Sequence, residues 1–202
     1  MKGIVKDAVI LFVITLIAGV CLGAVHEITL EPIAQAQLAA NTATYQEVYP
    51  DAASFAVNEE LTGAIETSAE EIAGQGYGSV TVDSVQEALD ASGSVIGYLI
   101  TSTSTEGYGG SIQVAVGITN EGSLTGIGFL SISETAGLGM NAQNPEFKDQ
   151  YAGKMAQVFE VTKTGATADN QINAISGATV TSRAVTGAVN AAVYFYQNCI
   201  AQ

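Results

Sequence analysis

The sequence predicts an α+β fold: one N-terminal transmembrane helix, then a domain with a twisted antiparallel sheet and flanking helices. Three observations carry that reading. An uncharged run of 18 residues, 8–25, follows a short basic flank at the start of the chain. Four β-rich segments then succeed one another at 80–85, 95–101, 112–119 and 124–133, separated by turn residues. The last segment returns to a helical stripe, with Val185, Ala188, Val189, Ala192, Val193 and Tyr196 at i, i+3/i+4 spacing. Strands in sequence, without helices alternating between them, make a meander and exclude a Rossmann-type site.

The first element is a membrane anchor by length and by charge. Eighteen residues at the helical rise span roughly 27 Å, close to the hydrocarbon thickness of a bilayer. Lys2 and Lys6, two of the six basic residues, flank the run on its N-terminal side. Beyond His26 stand only Lys148, Lys154, Lys163 and Arg183, against 19 of the 20 acidic residues. The positive-inside rule puts the N-terminus in the cytoplasm and the bulk of the chain on the extracytoplasmic side of the cell membrane. A cleavable signal fits poorly, because Leu22 falls where a small residue is needed before a cut after Ala24. A lipoprotein signal needs a small residue before Cys21, and Val20 stands there. Gly19 and Gly23 form a Gly-x-x-x-Gly face, which suits packing against another membrane helix and equally suits ordinary membrane-helix composition.

Three regions follow: an anchor over 1–30, a helical stalk and acidic connecting region over 31–78, and a folded domain over 79–202. Ile33, Leu38, Tyr45 and Val48 among Ala and Gln give the stalk a helical pattern that ends at Pro50-Asp51. Glu59, Glu60, Glu66, Glu70 and Glu71 read as a solvated face. In the folded domain, Asn120-Glu121-Gly122 between two apolar runs is a hairpin turn. Asn144-Pro145-Glu146-Phe147 opens a short helix with proline in its first turn. A strand is expected at 158–162, and a helix closes the chain.

Composition removes several functions. A net charge of −14 repels nucleic acid. Cys21 and Cys199 lie in the apolar run and at the chain's end, so no disulfide framework and no Cys/His metal cluster is present in the sequence. His26 is the only histidine and sits at the expected membrane boundary, so no Ser-His triad is available to the folded domain.

The chemistry concentrates in Ser176-Gly177-Ala178-Thr179-Val180-Thr181-Ser182, just before the last helix. Unpaired N–H groups and the helix dipole favour a phosphate at such a start. Gly177 and Ala178 keep bulk away from the backbone, and Thr179 offers a hydroxyl able to carry a phosphoester. The plain alternative is a loop and an N-cap, with Thr181 or Ser182 capping the helix. A second string, Thr164-Gly165-Ala166-Thr167, runs into Ala168-Asp169-Asn170-Gln171 without hydroxyls or helical period and reads as a simple turn.

Four ordered motifs resemble one family. Gly107-Tyr108-Gly109-Gly110-Ser111-Ile112 is similar to its Gly-Tyr-Gly-Gly-x-Ile. Glu134-Thr135-Ala136-Gly137-Leu138-Gly139 is similar to its Glu-Thr-Pro-Gly-Leu-Gly. Phe147, Gln150 and Tyr151 fall in its aromatic-rich segment, and Asn173-Ala174-Ile175-Ser176-Gly177-Ala178-Thr179 is similar to its Asp-Ala-Ile-Ser-Gly-Ala-Thr. The family so resembled is the covalent FMN-binding family of RnfG and NqrC. Asn173 in place of Asp and Ala136 in place of Pro are departures from its pattern.

The resemblance implies FMN held by a phosphodiester to Thr179, attached by a flavin transferase. Ser176, Gly177, Ala178, Thr181 and Ser182 would surround the phosphate. Tyr108, Gly109, Glu134, Thr135, Leu138 and Gly139 would meet the flavin, with no catalytic residue and no metal. It further implies an electron-transfer subunit, without catalytic activity of its own, in an Rnf-type ion-translocating ferredoxin:NAD oxidoreductase with other membrane and peripheral subunits. The alternative within the family is NqrC, from an Nqr-type Na⁺-translocating NADH:quinone reductase. A non-redox anchored binding domain is the alternative outside it.

Overall fold

The computed structural model describes residues 2–155 and 157–201, without the side chains at 2, 4, 5, 7, 24, 27, 28 and 30–39. Its contacts divide the chain into two units, 1–42 and 43–202. Helix α1, Lys2–Val48, runs through the first and ends in the second. Along the apolar run Leu11, Phe12, Val20 and Leu22 are exposed. Among the described residues no helix is long and apolar enough to cross a membrane; the run's described side chains are continuous only over 8–23. The side chains of Lys2, Ala24, Ile33 and Leu38, used in the anchor and stalk readings, lie outside the described residues.

The second unit begins earlier than the sequence suggests. Residues 43–78, expected to be stalk and connector, are integral to it. Strand β1 (Ser54–Val57) pairs antiparallel with β2 (Val80–Leu89). Helix α2 (Glu59–Gly74) lies between them in sequence and buries Ser68 and Ile72. Asn58 caps α2 through Oδ1, which accepts the N–H groups of Glu60 and Leu61 at 3.0 and 3.2 Å. The glutamates of α2 face solvent as expected. Short β1 was hidden because a four-residue strand carries almost no periodicity.

The meander is present. Strands β3 (Val95–Ser104), β4 (Ile112–Thr119) and β5 (Leu124–Ser131) complete a five-stranded antiparallel sheet in the order β1-β2-β3-β4-β5. The β4–β5 hairpin closes at 120–122, where Gly122 takes φ +81° and donates its N–H to Thr119 O. Register shifts in β2 and between β4 and β5 add twist.

Both faces of the sheet are covered. Val114, Val116 and Ile118 point to one face and join the core with α4 (Thr179–Phe195). Ala115 and Leu99 point to the other and pack with Val48. There the last turn of α1 lies on bare backbone: a side-chain carbon on Gly97, Gly117 or Gly128 would collide with Tyr49, Val48 or Thr44. Thr125 Oγ1 donates to Val48 O at 2.6 Å, and Tyr49 OH donates to Ile96 O at 2.7 Å.

Helix α4 is more central than its stripe implies. Every residue from 184 to 193 is buried, because the sheet, α2 and strand β6 (Glu160–Thr162) all pack on it. Its Asn190 clamps the chain leading into β6, accepting Phe159 N–H at 2.8 Å and donating to Phe159 O at 3.0 Å. β6 pairs in parallel with β7 (Gln171–Asn173). The short helix α3 (Pro145–Lys148) starts with proline as expected and follows a 3₁₀ turn, Gly139–Gln143. Beyond α3, Tyr151 is fully buried between the rings of Phe147 and Phe159, with centroids at 6.0 and 5.5 Å.

Candidate functional site

The first wall is the turn that feeds α4. Ala178 N–H bonds to Ile175 O at 3.0 Å, and Gly177 takes φ +78°, which a side chain at this bend would oppose. The helix begins at Thr179, with Ala178 at the N-cap position and no side chain capping it. The plain alternative, in which Thr181 or Ser182 caps the helix, does not hold: both lie inside the first turn and are buried. Ser182 Oγ instead donates to Ala178 O and accepts Ile175 N–H, each at 2.9 Å. Without a side-chain cap, the N–H groups that open α4 stay available to an anion, where the helix dipole is positive.

The second wall is the loop after β5. Leu138 and Met140 donate N–H to Thr135 O at 3.1 and 3.2 Å, closing a tight turn around Gly137. Glu134 Oε1 accepts Gly109 N–H at 3.2 Å and so ties this loop to 107–110, which presents Tyr108 to solvent. Gly139 lies at the foot of the wall, where a side-chain carbon would press on Glu134 and on Thr181 Oγ1. Leu138 reaches across to the first wall; a carbon added to Gly177 would lie 3.1 Å from its Cδ2.

These walls enclose a cavity of about 840 Å³. Ten of the twelve residues singled out in the sequence line it: Ser176, Gly177, Ala178, Thr179 and Thr181 from the first wall, and Tyr108, Glu134, Thr135, Leu138 and Gly139 from the second. Gly109 and Ser182 do not. Gly109 stands behind Tyr108 as the donor to Glu134, and Ser182 is fully buried beneath the turn.

Sequence reasoning missed Lys163, Ala174, Ile175 and Val180, which also line the cavity. Lys163 is the only cationic residue of the lining. It arrives through the parallel β6–β7 pair: Thr162 is in register with Asn173, so Lys163 and Ala174 leave the pair side by side. Ala174 N–H reinforces this by bonding to Thr162 O at 2.8 Å. A parallel pair between two three-residue strands leaves no pattern in the sequence.

The second hydroxyl-Gly-Ala-Thr string is a turn, as expected, and lies outside the cavity lining. Gln171 Oε1 accepts Thr167 N–H at 2.9 Å and the Thr167 hydroxyl at 3.2 Å. Asn173, which replaces the family's Asp, uses its Oδ1 to accept Ala166 N–H at 2.7 Å. Its side chain holds this turn.

The cavity's size suits a cofactor, and glycines leave flat access beside Glu134 and Thr181. A helix start without a side-chain cap and one lysine suit a phosphate. The residues present therefore fit a flavin mononucleotide, and the fold and site define a flavin-binding domain. The family described as FMN-binding domain matches residues 107–194. The G component of the Na⁺-translocating ferredoxin:NAD⁺ oxidoreductase complex of Acetobacterium woodii is 36% identical, over 98% of this chain and 93% of its own. The G component of the ion-translocating oxidoreductase complex of Methanosarcina acetivorans is 32% identical, over 95% and 94%. The chain belongs to this RnfG family. Crystalline NqrC of Shewanella oneidensis is similar at a TM-score of 0.45 and 21% identity, over 56% of this chain and 59% of that one.

Proposed function

We propose that this chain carries FMN on Thr179 and passes electrons within an ion-translocating ferredoxin:NAD oxidoreductase complex. The observation that carries the reading is a coincidence at one point: Thr179 is the first residue of α4, lines the cavity, and stands where the helix N–H groups lack a side-chain cap. The flavin supplies one- and two-electron redox chemistry when bound. Lys163 and the start of α4 would hold its negative charge, Glu134 and Thr135 would offer hydrogen bonds, and Tyr108 and Leu138 would flank the ring. The protein tunes potential and access and has no separate catalytic residue.

Attachment needs an activated donor, because condensing a hydroxyl with a phosphate monoester in water releases water uphill. A flavin dinucleotide supplies the activation. Thr179 Oγ1 would supply the oxygen of the new phosphoester in exchange for the departing nucleoside monophosphate, and its proton would pass to a base of the flavin transferase. The N-terminal run anchors the chain in the cell membrane with its N-terminus in the cytoplasm, beside integral and peripheral partner subunits.

The test is Thr179→Ala in the full-length chain, co-expressed with a flavin transferase, denatured, precipitated and weighed by mass spectrometry. The flavin mass is expected to vanish. Thr179 is half-buried in the cavity lining, so stability is expected to fall by about 1 kcal/mol or less. Thr167→Ala is expected to keep the flavin. Retention of the flavin mass on the Thr179→Ala chain refutes the assignment.

A further inference from the structure

We infer that Ser182 is the positioning residue for attachment: its hydroxyl holds the 175–178 turn closed so that Thr179 is presented to the incoming flavin phosphate. The inference rests on the reading of Thr179 as the attachment site. It concerns a residue that takes no part in the cavity lining.

Ser182 is fully buried, so it makes no contact with a ligand in the cavity. Its hydroxyl joins the two ends of one turn. At the near end it accepts the N–H of Ile175, and at the far end it donates to the C=O of Ala178, both at 2.9 Å. The turn's own bond, Ala178 N–H to Ile175 O at 3.0 Å, runs between the same two residues. A serine bonding back to the carbonyl four residues earlier is common in helices. Accepting an N–H from seven residues earlier is a tertiary use of the same oxygen, and it fixes where the segment entering the turn lies relative to the helix.

A second set of hydroxyls lies one turn further on and meets only the backbone carbonyl of Ser182, so it leaves the Ser182 brace itself untouched. Thr186 Oγ1 donates to Ser182 O at 2.9 Å, and Tyr151 OH lies 2.7 Å from Thr186 Oγ1, the tyrosine donating because the threonine proton is already used. This second set anchors in Tyr151, whose phenol burial holds well above its ordinary pKa and therefore protonated. Removing the Ser182 hydroxyl leaves Ile175 N–H without that partner and frees the turn, while the second set remains.

In-line attack on phosphorus depends on the placement of the attacking oxygen, and a shift on the order of 1 Å costs about 100-fold in rate. The experiment compares full-length wild-type, Ser182→Ala and Thr186→Val chains in detergent, with purified flavin transferase and flavin adenine dinucleotide. It measures the initial rate of flavin attachment over a range of chain concentrations, together with thermal unfolding and hydrogen exchange of the 174–178 segment.

Ser182→Ala is expected to lower the maximal rate at least tenfold with the chain's KM little changed, and to speed exchange at Ile175. Thr186→Val removes a buried hydroxyl one turn further on. It is expected to lower Tm at least as much while attaching flavin at the wild-type rate. A wild-type rate for Ser182→Ala overturns the proposal, as does an equal slowing of both variants, which would make the effect one of stability. Attachment in the wild type at a residue other than Thr179 would instead overturn the site assignment, and the proposal with it.

Discussion

Replacing Gly139 by alanine tests whether the cavity is shaped by the absence of a side chain at its foot. Gly139 is buried, and a methyl carbon there would lie 2.7 Å from Glu134 Cβ and 2.7 Å from Thr181 Oγ1. Ordinary carbon contacts are about 3.5–4.0 Å, so something must move by close to 1 Å. The outer end of Glu134 can swing away, which breaks its bond from Gly109 N–H. Its Cβ cannot move without the loop backbone, and Thr181 is held in the first turn of α4. Overpacking of this kind costs about 1–3 kcal/mol. For a chain of this size each kcal/mol lowers Tm by roughly 2–4 °C. Gly137→Ala is the matched control: its φ of +76° strains an alanine, yet nothing lies within 4 Å of the added carbon. That strain costs about 1–2 kcal/mol and leaves the cavity's shape alone. The assay is thermal unfolding with flavin per chain measured from the visible absorbance. Both variants are expected to lose stability, and only Gly139→Ala is expected to lose flavin loading. Full loading and an unchanged Tm for Gly139→Ala would refute the argument.

Tyr49 gives the domain an alkaline limit. Burial, with Asp51 and Glu121 nearby, pushes its phenol up to about 12 from 10.0. Its contribution is thus complete below pH 10 and lost as pH rises through 12, by no more than about 2–3 kcal/mol. Urea titrations between pH 9 and 12 are expected to show a shallower decline for Tyr49→Phe than for wild type, and identical slopes would exclude Tyr49 as the cause. For the membrane arrangement, a protease that cannot cross the membrane is expected to digest 43–202 in intact cells stripped of any wall; digestion only after lysis would reverse the orientation.

The sequence made the meander, the 120–122 hairpin and the closing helix legible, because each has a period or a turn signature spanning several residues. It concealed β1, β7 and the parallel pairing of β6, because strands of three or four residues have no period. That pairing is what delivers Lys163 to the cavity. The motif residues were legible as small or hydroxyl-bearing positions, and their roles were not. Ser182 reads as a cap from its place near a helix start, yet the helix begins three residues earlier and turns the hydroxyl into a brace. Gly109 reads as room for a ring and serves as the donor to Glu134. Both residues stand beside the cavity lining and not in it, because sequence adjacency does not say which side of the backbone a group occupies. The glycines at 97, 117 and 128 carry no local signal for a related reason: what they admit is the end of α1, far away in the chain.

A chain with a net charge of −14 is an unpromising host for a phosphate. Long-range repulsion, however, is screened beyond about 8 Å at physiological salt. The cavity lining itself has one cation, Lys163, one carboxylate, Glu134, and the positive end of α4. Locally the balance is close to neutral with a favourable dipole, which orients a phosphate without gripping it strongly. Such a site selects a position better than it retains a ligand. The proposed phosphodiester supplies the retention that the electrostatics lack, and it leaves the walls free to serve the ring. Those walls are already held by bonds internal to the protein: Glu134 to Gly109, Thr135 to Leu138 and Met140, and Ser182 to both ends of the 175–178 turn. Little ordering cost then falls on the flavin, and a redox centre fixed in such a frame changes charge with little reorganisation of its surroundings.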